Sequence, residues 1–196
     1  MTGTVINLNP ACQQMIDVLA GVTDEQLTSP SPCAEYTVGE LIDHVDHVSR
    51  LFTALALRDT DGLIDAATGP NGAHQDSDWR ETIGQHVRTL GKAWNDPAAW
   101  QGNGNVPGSD LSNEMWGKIT LTEMVVHGWD VARATGQPFE LSKPTLQTCL
   151  DHVAEFVPNA PNPALWGPSA NVASDASLLD RIVAITGRAK WPMAAS

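Results

Sequence analysis

Glu123 and His127 stand four residues apart in the stretch Thr120–Gly136, and Asp130 follows three residues later. If the stretch is helical, a carboxylate, an imidazole and a second carboxylate share one helix face. Such groups on an inward face carry a desolvation cost that apolar residues avoid, and a bound cation is one way to offset it. Two ligands rarely hold a metal, so a third donor must come from elsewhere. The competing reading is a Glu/His pair that is merely solvated or hydrogen-bonded, since this spacing also arises by chance.

The third donor follows from the apolar periodicity of the second helix. Thr37 and Glu40 form a capping-box pair. The stripe then runs Leu41, His44/Val45, Val48, Leu51/Phe52 and Leu55, with His44 inside it and His47 on its flank. His44, Glu123 and His127 make a set of two histidines and one carboxylate. Three protein ligands with open positions describe a catalytic zinc site better than a closed structural one. The same donors suit Fe(II) or Ni(II). Asp130 and Glu40 are candidates to hold an imidazole N–H from behind. Glu40 and His44 form a second E-x-x-x-H pair, but dinuclear sites in four-helix bundles use E-x-x-H spacing. His86 reads as a satisfied core histidine, and His47, His74 and His152 as surface residues.

Other chemistries have weaker support. The cysteines, Cys12, Cys33 and Cys149, are odd in number and lack C-x-x-C spacing. They read as free thiols in a reducing cytoplasm. Cys12 and Cys149 fall in apolar stripes, while Cys33 beside a loop is the one with a claim to reactivity. No G-x-S-x-G elbow is present, and Gln101–Ser109 has the glycines but not the lysine of a phosphate loop. That loop reads as a lid over the bundle's ligand. Trp116 and Trp129 could line a pocket, though core packing is the simpler role. A net charge of −12 argues against nucleic acid and anionic membranes as partners. Neither a signal-type segment nor a bilayer-length apolar run is read.

The elements that position these residues are helical throughout. Helices are predicted from Asn9 to Gly21, from Thr37 to Leu57, weakly over 62–67, from Asp78 to Trp94, over 111–135, from Ser142 to Val157 and from Ser177 to Thr186. Four long amphipathic helices without a strand pattern predict an all-α antiparallel four-helix bundle over 1–157. Residues 158–196 are expected to form a Pro/Asn-rich strap and a short helix packed outside it.

The segment Ser31-Pro-Cys-Ala-Glu-Tyr-Thr-Val-Gly-Glu-Leu-Ile-Asp-His44 resembles the stretch around the first ligand of the mycothiol-dependent maleylpyruvate isomerase metal-binding domain. Glu123-Met-Val-Val-His-Gly-Trp-Asp-Val-Ala-Arg-Ala-Thr-Gly136 resembles that family's second signature. Leu179-Asp-Arg-Ile-Val-Ala-Ile-Thr-Gly-Arg188 is similar to the end of its single-domain actinobacterial relatives. The resemblance implies a DinB-like bundle whose divalent metal, usually zinc, is held by His44, Glu123 and His127. It further implies that the metal activates a low-molecular-weight thiol, mycothiol or another, for transfer to an electrophilic small molecule or for isomerisation. In the isomerase an additional C-terminal domain contributes to the substrate site, so an electrophile other than maleylpyruvate is expected here. By family analogy the resemblance also admits a homodimer. Two alternatives stay open: a non-catalytic, stress-related module that binds metal or a small ligand, and a metal-dependent hydrolase with Asp130 or Glu40 as base.

Overall fold

The structure, a computed structural model, describes residues 5–68, 72–75, 77–104, 106, 109–160, 166–173 and 175–188. Its helices are α1 (Asn9–Gly21), α2 (Val38–Leu57), α3 (Thr60–Thr68), α4 (Trp79–Ala93), α5 (Asn113–Thr135), α6 (Lys143–Phe156) and α7 (Leu178–Ile185). Among the described residues there is no strand, only two isolated bridges, Pro30 with Thr37 and Asn103 with Ser112. The fold is the expected all-α, DinB-like bundle. Among the described residues no helix is long and apolar enough to cross a membrane.

Four helices close the ring. α1 packs on α4, α4 on α2, α2 on α5, and α5 back on α1. α3 lies against α2, α6 against the outer side of α5, and α7 against α6. The core is the apolar stripes meeting along the axis, with Met15, Leu41, Ile42, Ile83, Leu121 and Met124 wholly sealed from solvent. α5 is buried nearly all round from Thr120 to Ala132, because one side faces the ring and the other faces α6. That explains why apolar residues occur on both sides of it, around the face that carries Glu123, His127 and Asp130.

Caps set where the two site-bearing helices begin and end. Thr37 Oγ1 accepts from Glu40 N at 3.3 Å, and Glu40 Oε2 accepts from Thr37 N at 2.8 Å. Ser112 Oγ accepts from Met115 N at 3.2 Å to start α5. Gly136, at φ 70°, ends it in the left-handed conformation that glycine tolerates. α2 and α5 run antiparallel: His44 meets Glu123 near the start of α2, and Phe52 meets Trp116 eight residues on.

Two expectations change. The glycine-rich segment 101–109, whose residues 105, 107 and 108 lie outside the described ones, is pinned at the start of α5. Gly102 O accepts from Asn113 N at 2.9 Å, and Gly104 N donates to Leu111 O at 3.2 Å. Asn113 precedes Glu123 by ten residues, about 15 Å of helix. The described part of this segment therefore caps the far end of the bundle rather than gating the histidines. The strap over 158–171 lies partly outside the described residues, at 161–165.

His152 is the second change. It is 7% exposed, stacked on Phe156 with ring centroids 5.1 Å apart. An i, i+4 aromatic pair on α6 turned the ring inward, against its polar surroundings in sequence. Burial, followed by the charge of Lys118, lowers its pKa from 6.5 to about 4. The folded imidazole thus refuses a proton that the unfolded chain accepts. Its contribution to stability is complete above about pH 6.5 and is lost progressively as pH falls through about 4. Denaturant midpoints measured between about pH 7 and pH 4 should fall with acidification, and His152→Gln should flatten that dependence.

Candidate metal centre

The first turns of α2 and the middle of α5 bring His44, Glu123 and His127 together. His44 Nε2 lies 3.1 Å from Glu123 Oε2, and His127 Nε2 lies 3.1 Å from the same oxygen. One potential ligand atom from each residue falls within 4.8 Å of the others. The two imidazole rings meet edge to face, centroids 4.8 Å apart at 80°. Tyr36, from the loop before α2, stacks on the other side of His44 at 5.6 Å and 21°. Side-chain exposure falls from 26% at His44 through 17% at Glu123 to 10% at His127, so the cluster opens on the His44 side.

Behind His127 the polar chain continues. His127 Nδ1 lies 3.0 Å from Asp130 Oδ2, one of the two carboxylates considered for that role. With Nδ1 engaged by Asp130, it is Nε2 that turns toward Glu123. Asp130 is wholly buried, and its charge is answered by Arg188: Nη2 donates to Oδ2 at 3.1 Å and Nε to Oδ2 at 3.3 Å. Arg188 Nη1 donates to Thr186 O at 2.6 Å, so all three guanidinium nitrogens are engaged. The turn that ends α7 delivers this side chain. Gly187 at φ 84° and the bond from Arg188 N to Val183 O at 2.8 Å close the helix and send Arg188 inward.

Glu40 behaves differently. Its Oε2 accepts from both Thr37 N and Thr37 Oγ1 at 2.8 Å, and among the described residues it makes no bond to a site imidazole. The first turn of α2 has claimed this carboxylate for its orphan N–H groups. His86, read as a core histidine, is only partly buried and is satisfied by Asp46 at 2.6 Å; His74 is held by Asp43 at 2.8 Å. Trp129 packs in the protein with Arg133 over its ring, and Trp116 packs on Phe52.

The electrostatics follow from this packing. Burial alone would raise the Glu123 pKa, but the two imidazoles outweigh it and hold the carboxyl well below its usual range. Burial alone would lower His127, but Glu123 and Asp130 outweigh it and raise its proton affinity. The same convergence of two nitrogens and one carboxylate oxygen that raises affinity for a proton also suits a divalent cation.

A chain with these features can be placed among known proteins. The model of the mycothiol maleylpyruvate isomerase N-terminal domain matches residues 8–132. The chain belongs to that family. The matched span holds α1 to α4, nearly all of α5, and His44, Glu123 and His127. Two relatives, uncharacterized proteins of Mycobacterium tuberculosis strains CDC 1551 / Oshkosh and H37Rv, are each 26% identical over 131 residues. The chain spans 63% of their length, and the match covers 63% of its own. No solved structure matches the chain.

Sequence reasoning left the role of Cys33 open and assigned none to Tyr36 or Arg188. Cys33 offers Sγ within 4.8 Å of ligand atoms of His127 and Asp130. Burial pushes its thiol up to about 11 despite the nearby Arg188, so it is a poor thiolate. Cys12 and Cys149, both buried, are pushed up to about 12. The signals for Cys33 and Arg188 were present: both lie in the family-like segments Ser31–His44 and Leu179–Arg188. Periodicity could not find them, because neither sits on a helix face. Arg188→Ala should strand the buried Asp130 charge and destabilise the protein by about 3–5 kcal/mol. Arg188→Lys should recover only part of that, since an ammonium cannot reproduce the guanidinium fork. Equilibrium denaturant unfolding measures both.

Proposed function

We propose that this protein holds a divalent metal ion on His44, Glu123 and His127 and works as a transferase or isomerase dependent on a small thiol of the mycothiol type. The observation that carries the reading is the convergence of two imidazole Nε2 atoms on a single carboxylate oxygen, 3.1 Å each, in a chain of this family. The donor set fits the ion. Two neutral nitrogens and one carboxylate make a zinc site with an open side, and Fe(II) or Ni(II) accepts the same donors. When bound, the cation supplies Lewis acidity that keeps a thiol deprotonated at neutral pH.

The chain's own residues do the rest. Asp130 fixes the ring of His127, so that Nε2 is the atom offered, and Arg188 pairs with Asp130 within the core. Tyr36 lies flat against His44 and limits its rotation. A cavity of about 180 Å³ between residues 32–35 and the tail, lined by Cys33, Glu35, Trp166 and Arg188 among others, lies on the Asp130–Arg188 side of the cluster. Cys33 is no substitute for an added thiol, because its own sulfur is held in the protonated form. The free cysteines suit the reducing interior of a cell, where small thiols are abundant.

Elemental analysis of the purified protein should find about one divalent metal per chain, with zinc foremost. His44→Ala and His127→Ala should each lose the metal and any thiol-transfer activity together. Asp130→Asn should keep the ligands but lower metal affinity by roughly 10–100-fold in a competition titration. Unchanged metal content in both histidine variants, or turnover with no thiol added, would overturn the assignment.

A further inference from the structure

α2 turns a second polar face toward α4. Asp46 there is 4% exposed, and both its oxygens are satisfied. Arg50 Nε donates to Oδ2 at 2.9 Å, and His86 Nδ1 on α4 lies 2.6 Å from Oδ1. A carboxylate this deep is tolerated because it is paired, and its effect is to hold two side chains from two helices in fixed positions. Both line a cleft of about 230 Å³ between α2, α3 and α4. Only Nε of Arg50 is engaged by Asp46; among the described residues neither Nη nitrogen has a hydrogen-bond partner.

Ser49 is the second, independent observation. It is wholly buried, it lines the same cleft, and among the described residues its Oγ has no hydrogen-bond partner. The neighbouring hydroxyls are engaged elsewhere: Thr53 Oγ1 donates to Ser49 O at 2.7 Å, and Thr89 Oγ1 to Gln85 O at 2.8 Å. A sealed hydroxyl without a partner is unfavourable, and native proteins rarely keep one without a use. Apolar lining comes from Ala54 and Leu57, farther along α2, and from Ala66 on α3. At the mouth, Asp59 Oδ1 caps Gly62 N at 3.1 Å, and Asp65 is exposed.

We propose that this cleft is a small-molecule site, separate from the histidine cluster, that takes a monocarboxylate with a short hydrocarbon tail. The carboxylate oxygens accept from the two Arg50 Nη nitrogens and from Ser49 Oγ, and the tail lies on Ala54, Leu57 and Ala66. Asp46 acts as a positioning residue through Arg50. The acids at the mouth repel a phosphate dianion more than a carboxylate, which selects against phosphate.

Titrating the full chain with butyrate, and separately with inorganic phosphate and with butanol, tests this by NMR of the Arg50 Nε–H and His86 ring signals. Butyrate should shift both saturably, and phosphate and butanol should bind more weakly. Ser49→Ala removes a hydroxyl that satisfies nothing, so the fold should persist while butyrate affinity falls roughly three- to tenfold. Arg50→Gln should weaken it roughly tenfold or more. Phosphate or butanol binding as tightly as butyrate would overturn the carboxylate assignment. No saturation with butyrate, or unchanged affinity in both variants, would overturn the site.

Discussion

A line of paired polar side chains runs through the middle of this protein, and the rest of the structure serves to keep it paired. It passes from His44 to Glu123, His127, Asp130 and Arg188, with separations of 3.0 to 3.1 Å at each step. Burying Asp130 or Arg188 without the other would cost several kcal/mol, of the order expected for an unpaired ion in a protein interior. Each is tolerable because its neighbour has the opposite tendency. The line therefore joins three parts of the chain that are distant in sequence: α2, α5 and the turn after α7.

The bundle earns its shape from that requirement as much as from its apolar stripes. α5 is buried on both sides, so a polar side chain on it cannot escape to solvent by rotating and must find a partner. Glu123 and His127 look into the ring toward α2, and Asp130 takes its countercharge from a tail that folds over the outside of α6. Gly187 makes this approach feasible, because its left-handed backbone and its contact with Gly167 leave no room for a side chain. Arg188 lies beyond the 8–132 span shared with the family, so what holds Asp130 is supplied from outside the matched domain.

The distribution of polar groups along α2 has the same logic on two faces. Toward α5 it offers His44, and toward α4 it buries Asp46, with Arg50 and His86 fixed around it. Both arrangements place a carboxylate between two nitrogen-bearing side chains. They differ in what closes them. The first is backed by a second acid and a guanidinium, while the second opens on a cleft with an unanswered serine hydroxyl.

Helix content, the ring of four and the face on which His44, Glu123 and His127 fall were all legible in the sequence. They depend on periodicity and on caps such as Thr37 with Glu40, which are local properties of the chain. Glu40 was legible both as the cap partner of Thr37 and as an acid near a histidine, and in the structure the cap takes it. What the tertiary structure alone decided is the identity of the partners across long separations. That Arg188 answers Asp130 from 58 residues away, that His152 turns inward onto Phe156, and that the glycine-rich segment closes the far end of α5 all depend on how helices pack. Spacing along a chain says which face a side chain takes, but only packing says what stands opposite it.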